Sequence, residues 1–119
     1  VSSEEAKLVY VTFIAEATLS RSVWSLRCCG DLVVLTGGEM GLFPLWPDLE
    51  SARFFSAQHW PGMEPAELPT KTLIRVHLRA LAASRIPVGI GVAPYPEGVV
   101  MEAGRLRRDL LTARALRRR

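Results

Sequence analysis

The sequence predicts an α+β domain: a sheet of about four mainly antiparallel strands, helices packed mostly on one face, and the order α-β-β-β-α-α-β-α. Three observations carry this expectation. Apolar residues recur at helical spacing in four stretches, beginning near Glu4, Asp48, Thr70 and Glu102. Between the first two stand three short apolar runs divided by glycine turns, the pattern of a meander over residues 22 to 46. The 119 residues are 49% hydrophobic and 23% charged, a balance that buries a core, and their number suits one domain, residues 1–119.

Ser2-x-x-Glu5 is a capping box, and the helix it opens runs to about Leu19. Ala6, Val9, Tyr10, Phe13, Ile14 and Ala17 share its core face, which leaves Leu8, Val11 and Leu19 off that face. The meander strands are Val23–Leu26, Leu32–Thr36 and Gly41–Trp46, turned at Cys29-Gly30-Asp31 and at Gly37-Gly38-Glu39. Pro44 donates no ladder hydrogen bond, so the third strand is expected at an edge or to end early there. Asp48 caps a helix from Leu49 to about His59, which Trp60-Pro61-Gly62 stops. Residues 61 to 69, with three prolines, read as an ordered loop. Thr70 is the expected cap of a helix to about Ala83 or Arg85, with Leu73, Ile74, His77, Leu78, Ala80 and Leu81 in its apolar stripe. Val88–Ala93 reads as an interior strand of the same sheet, and a turn or short extended piece leads to a basic amphipathic helix held by Leu106 and Leu110.

Charge is divided unevenly. Residues 1 to 104 hold 8 basic and 11 acidic residues, a net of −3, whereas the segment from Arg105 holds seven arginines and one acid. An acidic body with a basic tail is not the broad basic face of a nucleic-acid-binding domain. The opening Val1-Ser2-Ser3-Glu4-Glu5 lacks the basic start of an export leader. The uncharged run Ile86–Pro96 has eleven residues and three prolines, short of the roughly 18 that span a bilayer. Cys28 and Cys29, the two cysteines, build no disulfide framework, which fits a reducing, cytoplasmic setting. In a strand, neighbours point to opposite faces, so the two thiols are expected apart.

The chemistry-bearing residues form no catalytic set. Two histidines and two adjacent cysteines lack zinc-ligand spacing, so neither a metal nor a cofactor is expected. Gly89-x-Gly91 is followed by prolines rather than a helix start, against a phosphate loop. His77, in the stripe of the third helix, is a general-base candidate whose blander reading is a hydrogen-bonded core histidine. Trp24, Trp46, His59 and Trp60 could line a ligand pocket, or they could simply fill a small core. Arg105, Arg107, Arg108, Arg114, Arg117, Arg118 and Arg119 could contact a polyanion, or they could be a solvated helix end that suits the macrodipole.

Val23-Trp24-Ser25-Leu26, then Phe43-Pro44-Leu45-Trp46-Pro47-Asp48 with Ala52 beyond, resembles an uncharacterised bacterial family known as a domain of unknown function. Its motifs are V-W-x-L and P-x-W-P-x-x-x-x-A, and Phe13, Trp24, Trp46, Ala52, Trp60 and Pro94 match its features in order over about residues 8 to 111. A looser likeness is to the enhanced-serine-sensitivity type of small bacterial domain. The resemblance implies architecture and no activity, and the arginine-rich ending departs from it. The expected function is therefore a non-catalytic module that binds a protein partner or itself as a homodimer. The alternative is a ligand-binding protein or enzyme at the Trp46, His59, Trp60 corner. Weak, tail-mediated nucleic-acid binding comes third.

Overall fold

The computed structural model describes residues 3–37, 40–91 and 99–117. Ser2 of the capping box, Gly38 of the second turn, residues 92 and 93 of the expected interior strand, Pro94 of the motif, and Arg118 and Arg119 lie outside the described residues. The helix α1 spans Ser3–Ser20 and buries Phe13 and Ala17. Then follow β1 (Ser22–Cys28), β2 (Asp31–Leu32), β3 (Leu35–Gly37), β4 (Met40–Leu45) and α2 (Leu49–His59). Asp48 caps α2 as expected, its Oδ1 accepting the Ser51 N–H at 2.7 Å. The chain continues with β5 (Glu64–Pro69), α3 (Thr70–Thr72), a π-helical turn Leu73–His77, α4 (Leu78–Ala83), β6 (Val88–Ile90), β7 (Val99–Met101) and α5 (Ala103–Arg117).

The single four-stranded sheet and its meander are not what forms. The class is α+β, but the described strands make a three-stranded sheet, β2-β1-β5, and a four-stranded sheet, β3-β4-β6-β7. The expected middle strand is divided between them: Leu32 pairs with Arg27 of β1, whereas Leu35 pairs with Leu42 of β4. The reason lies in Trp46. Its backbone exchanges two hydrogen bonds with Trp24, of 2.8 and 2.9 Å, and so occupies the edge of β1 that a longer middle strand would need.

The proline-rich stretch read as a loop is the strand β5, antiparallel to all but the last residue of β1. The Thr70 N–H donates to the Arg21 carbonyl at 3.0 Å, which sets the alternation along the pair. Pro65 and Pro69 then fall where the backbone nitrogen faces away from β1, and β5 is an edge strand, so neither proline costs a ladder bond. Pro44 solves the same problem in the interior. Phe43 and Leu45 turn their polar groups to β6, so the nitrogen of Pro44 faces the seam between the sheets. There its carbonyl accepts the buried Ser25 hydroxyl at 2.6 Å. Pro44 therefore neither ends β4 nor puts it at an edge.

Alternation along β1 and β4 sends side chains to two cores. Val23, Phe43 and Leu45 join Phe13, Leu73, Ile74, Leu78, Val88, Ile90, Leu106 and Leu110. Leu26 and Trp46 pack instead with Ala52 of α2, in a second core that the one-faced arrangement did not anticipate. Thr70 does not cap its helix: its hydroxyl donates to the Ala17 carbonyl at 2.8 Å and ties that helix to α1. β6 runs parallel to β4, and the extended piece after it is β7.

Candidate anion-binding cleft

The aromatic corner is packed ring on ring. Trp46 is fully buried, with Phe55 stacked on it at 6.2 Å and Trp60 tilted against it at 6.2 Å. His59 is exposed and lies on the outer side of this group, stacked on Phe55 at 6.4 Å and edge-on to Trp60 at 5.8 Å. Trp24 is half-buried against the same core. The structure brings Trp46, His59 and Trp60 together through these ring contacts, and Trp24 packs against the same core. Among the described residues the buried Trp46 indole N–H has no hydrogen-bond partner.

His77 belongs elsewhere. It ends the π-helical turn, half-buried, with its ring stacked on Phe43 at 6.3 Å and 18°. Burial holds its pKa below the ordinary 6.5, so the neutral ring is favoured.

The described C-terminal arginines have different surroundings. Arg105 stands 4.0 Å from Asp109 one turn on, in an exposed i,i+4 pair. Arg107 donates its Nε–H to the Ile74 carbonyl at 3.0 Å and is used to tie α5 to the π-helical turn. Arg108 is exposed. Asp109 also accepts the Tyr10 hydroxyl at 2.5 Å, which locks α1 to α5 across 99 positions of sequence. Burial, and then the hydrogen bond and charge of Asp109, push the Tyr10 pKa far above 10.0.

Arg114 and Arg117 face a different feature. They line an open cleft of about 580 Å³ together with Ala17, Thr18 and Arg21 of the α1 end and Pro69, Thr70 and Lys71 of the β5–α3 junction. Among the described residues its lining holds four cations and no acid. The Thr18 and Thr70 hydroxyls donate to carbonyls, of Ile14 and Ala17, and so serve the framework. Arg21 and Lys71 were not among the candidates read from the sequence. No sequence signal marked Arg21; the structure places it after the last turn of α1 at φ 63°, a left-handed position that glycine fills most cheaply. An arginine held there carries strain on the order of 1 kcal/mol, and its carbonyl is pinned by Thr70. A second hollow of about 460 Å³, between Ala82–Pro87 and Glu102–Gly104, is lined among the described residues by one base, Arg85, and one acid, Glu102.

Among the described residues no three His, Cys, Asp or Glu side chains gather to hold a metal ion, and no helix is long and apolar enough to cross a membrane. Residues 10–110 match the model of a family described as a protein of unknown function, DUF2750. No curated protein matches the chain.

Proposed function

From the premise that this chain belongs to the DUF2750 family, whose description assigns no activity, we propose that it is a non-catalytic interaction module whose recognising element is the basic cleft. The observation that carries the reading is the convergence of Arg21, Lys71, Arg114 and Arg117 on one cleft that has no lining acid among the described residues. Like charges held together repel, and an anion relieves that repulsion while it gains the combined field.

The size and setting of the cleft favour a short acidic protein segment over a nucleic acid. A volume near 580 Å³ admits a few side chains. Beyond it the body, residues 1 to 104, has a net charge of −3, which would repel a long uniform polyanion along its length. A segment with two or three carboxylates or phosphates suits one cationic spot. The test is calorimetric titration with a hexaglutamate peptide, with inorganic pyrophosphate and with a single-stranded oligonucleotide of equal charge, at low salt and at about 0.15 M. The peptide is expected to bind best and to weaken as salt rises. Tighter binding of the oligonucleotide at the higher salt would replace this reading with a nucleic-acid one.

Self-association through α1 is the second reading, favoured by one observation. Leu8, Val11 and Leu19 are 67%, 61% and 59% exposed along one side of the helix. Sedimentation that gives a strict monomer at high micromolar concentration removes it.

A further inference from the structure

At the opposite end of β1 from Arg21, the chain makes a hairpin turn that brings two thiols together. Cys28 pairs with Asp31, so Cys29 and Gly30 are the two turn residues, with φ of 57° and 89°. Positive φ at both positions is the type I′ turn, in which asparagine or glycine is favoured at the first place. Cysteine there is costly, and it has a geometric result. The left-handed turn rotates the Cys29 side chain away from the alternation of the strand, and the two sulfurs lie 3.7 Å apart. The opposite-face arrangement expected of a continuous strand does not hold. Cys29 is exposed and Cys28 half-buried, so the pair is open to solvent.

We propose that Cys28 and Cys29 form a two-thiolate clamp for a soft ion of low coordination number, of the class of Cu(I) and trivalent arsenic. This goes beyond the reading of the cleft and does not depend on it. A disulfide is the poorer use of the pair. Neighbouring Cα atoms stand about 3.8 Å apart, short of the roughly 4.4–6.8 Å that an unstrained disulfide spans, whereas an ion between the sulfurs needs no such closure. Zinc is also disfavoured. It takes four ligands in closed sites, and among the described residues no third His, Cys, Asp or Glu gathers here. Soft thiolates select Cu(I) and similar thiophilic ions instead.

Neither binding step is a redox step. Cu(I) displaces the two thiol protons to solvent. Phenylarsine oxide forms two arsenic–sulfur bonds and loses its oxygen as water, which carries away both protons.

The test uses the full reduced chain without oxygen, with Cu(I) supplied as its bathocuproine complex in one arm and phenylarsine oxide in the other. The reference proteins are Cys28→Ser, Cys29→Ser and Cys29→Gly, the last fitting the turn without strain. The wild type is expected to take one equivalent of ion and to keep it against excess monothiol, while each single variant holds it at least tenfold more weakly. Unfolding the chain in urea is expected to weaken retention at least tenfold, because the turn no longer holds the sulfurs together. Preference for the copper arm identifies a metal site, and preference for the arsenical a metalloid site. Retention by Cys29→Gly equal to that of the wild type, equal retention by the unfolded chain, or uptake in neither arm overturns the proposal.

Discussion

Replacing Tyr10 by phenylalanine removes one hydroxyl and, with it, the bond that holds α1 to α5. That hydroxyl donates to Asp109 Oδ2 at 2.5 Å. A hydrogen bond to a charged group contributes about 1.5–3 kcal/mol when well buried. Here Tyr10 is half-buried and the Asp109 side chain keeps 41% of its accessibility, so solvent screens the pair and about 1–1.5 kcal/mol is the reasonable figure. For a domain of this length the melting temperature should fall by roughly 3–6 °C. The assay is urea denaturation followed by circular dichroism for Tyr10→Phe, Asp109→Ala and the double variant. The double-mutant cycle should return a coupling of about 1 kcal/mol. The pH dependence is a second signature. The unfolded chain ionises Tyr10 near 10.0 and the folded chain only far above it, so this group's stabilisation is lost as pH rises past 10.0. The Tyr10→Phe protein lacks that part of the loss. Single variants within about 0.3 kcal/mol of wild type, or costs that simply add, would refute the reasoning.

Asp48→Ala removes the side-chain acceptor for Ser51 and should lower stability by about 1 kcal/mol, read by the same denaturation assay. A Cβ at Gly41 would stand 2.7 Å from Val34 Cγ1, so Gly41→Ala should cost on the order of 1 kcal/mol, and Val34→Ala in the same chain should recover most of it. Proton NMR should find His77 titrating below 6.5. Because the folded state resists protonation there, stability should fall as pH drops through 6.5, and a His77 that titrates above that value contradicts the burial argument.

Much of the local structure was legible because local chemistry decided it. The Asp48 cap, the core face of α1 at Phe13 and Ala17, and the anchoring of α5 by Leu106 and Leu110 follow from spacing and capping alone. What was not legible depended on partners distant in sequence. Pro65 and Pro69 argue against a strand until the register with β1 shows that their nitrogens face away from it. The run Leu32–Thr36 reads as one strand until Trp46 takes the edge it would need. Leu73–His77 has neither glycine nor proline to mark a π-helical turn. The cleft was hidden for the same reason. Arg114 and Arg117 stood out in a basic run, but Arg21 and Lys71 sit in an acidic body, and only the packing of α1, β5 and α5 brings the four together.

The central claim is tested most directly by Arg21→Gly, because stability and binding should move in opposite directions. Glycine accepts φ 63° without strain, so the variant should be at least as stable as wild type. It also removes one of four cations from the cleft, which should weaken hexaglutamate binding about fivefold, or roughly 1 kcal/mol. Arg108→Ala, which removes an exposed arginine of α5 from outside the cleft, serves as the control and should bind almost as wild type does. The fold should hold in both variants, and the affinity should drop for Arg21→Gly alone. Unchanged affinity in Arg21→Gly, or an equal loss in Arg108→Ala, would contradict the central claim.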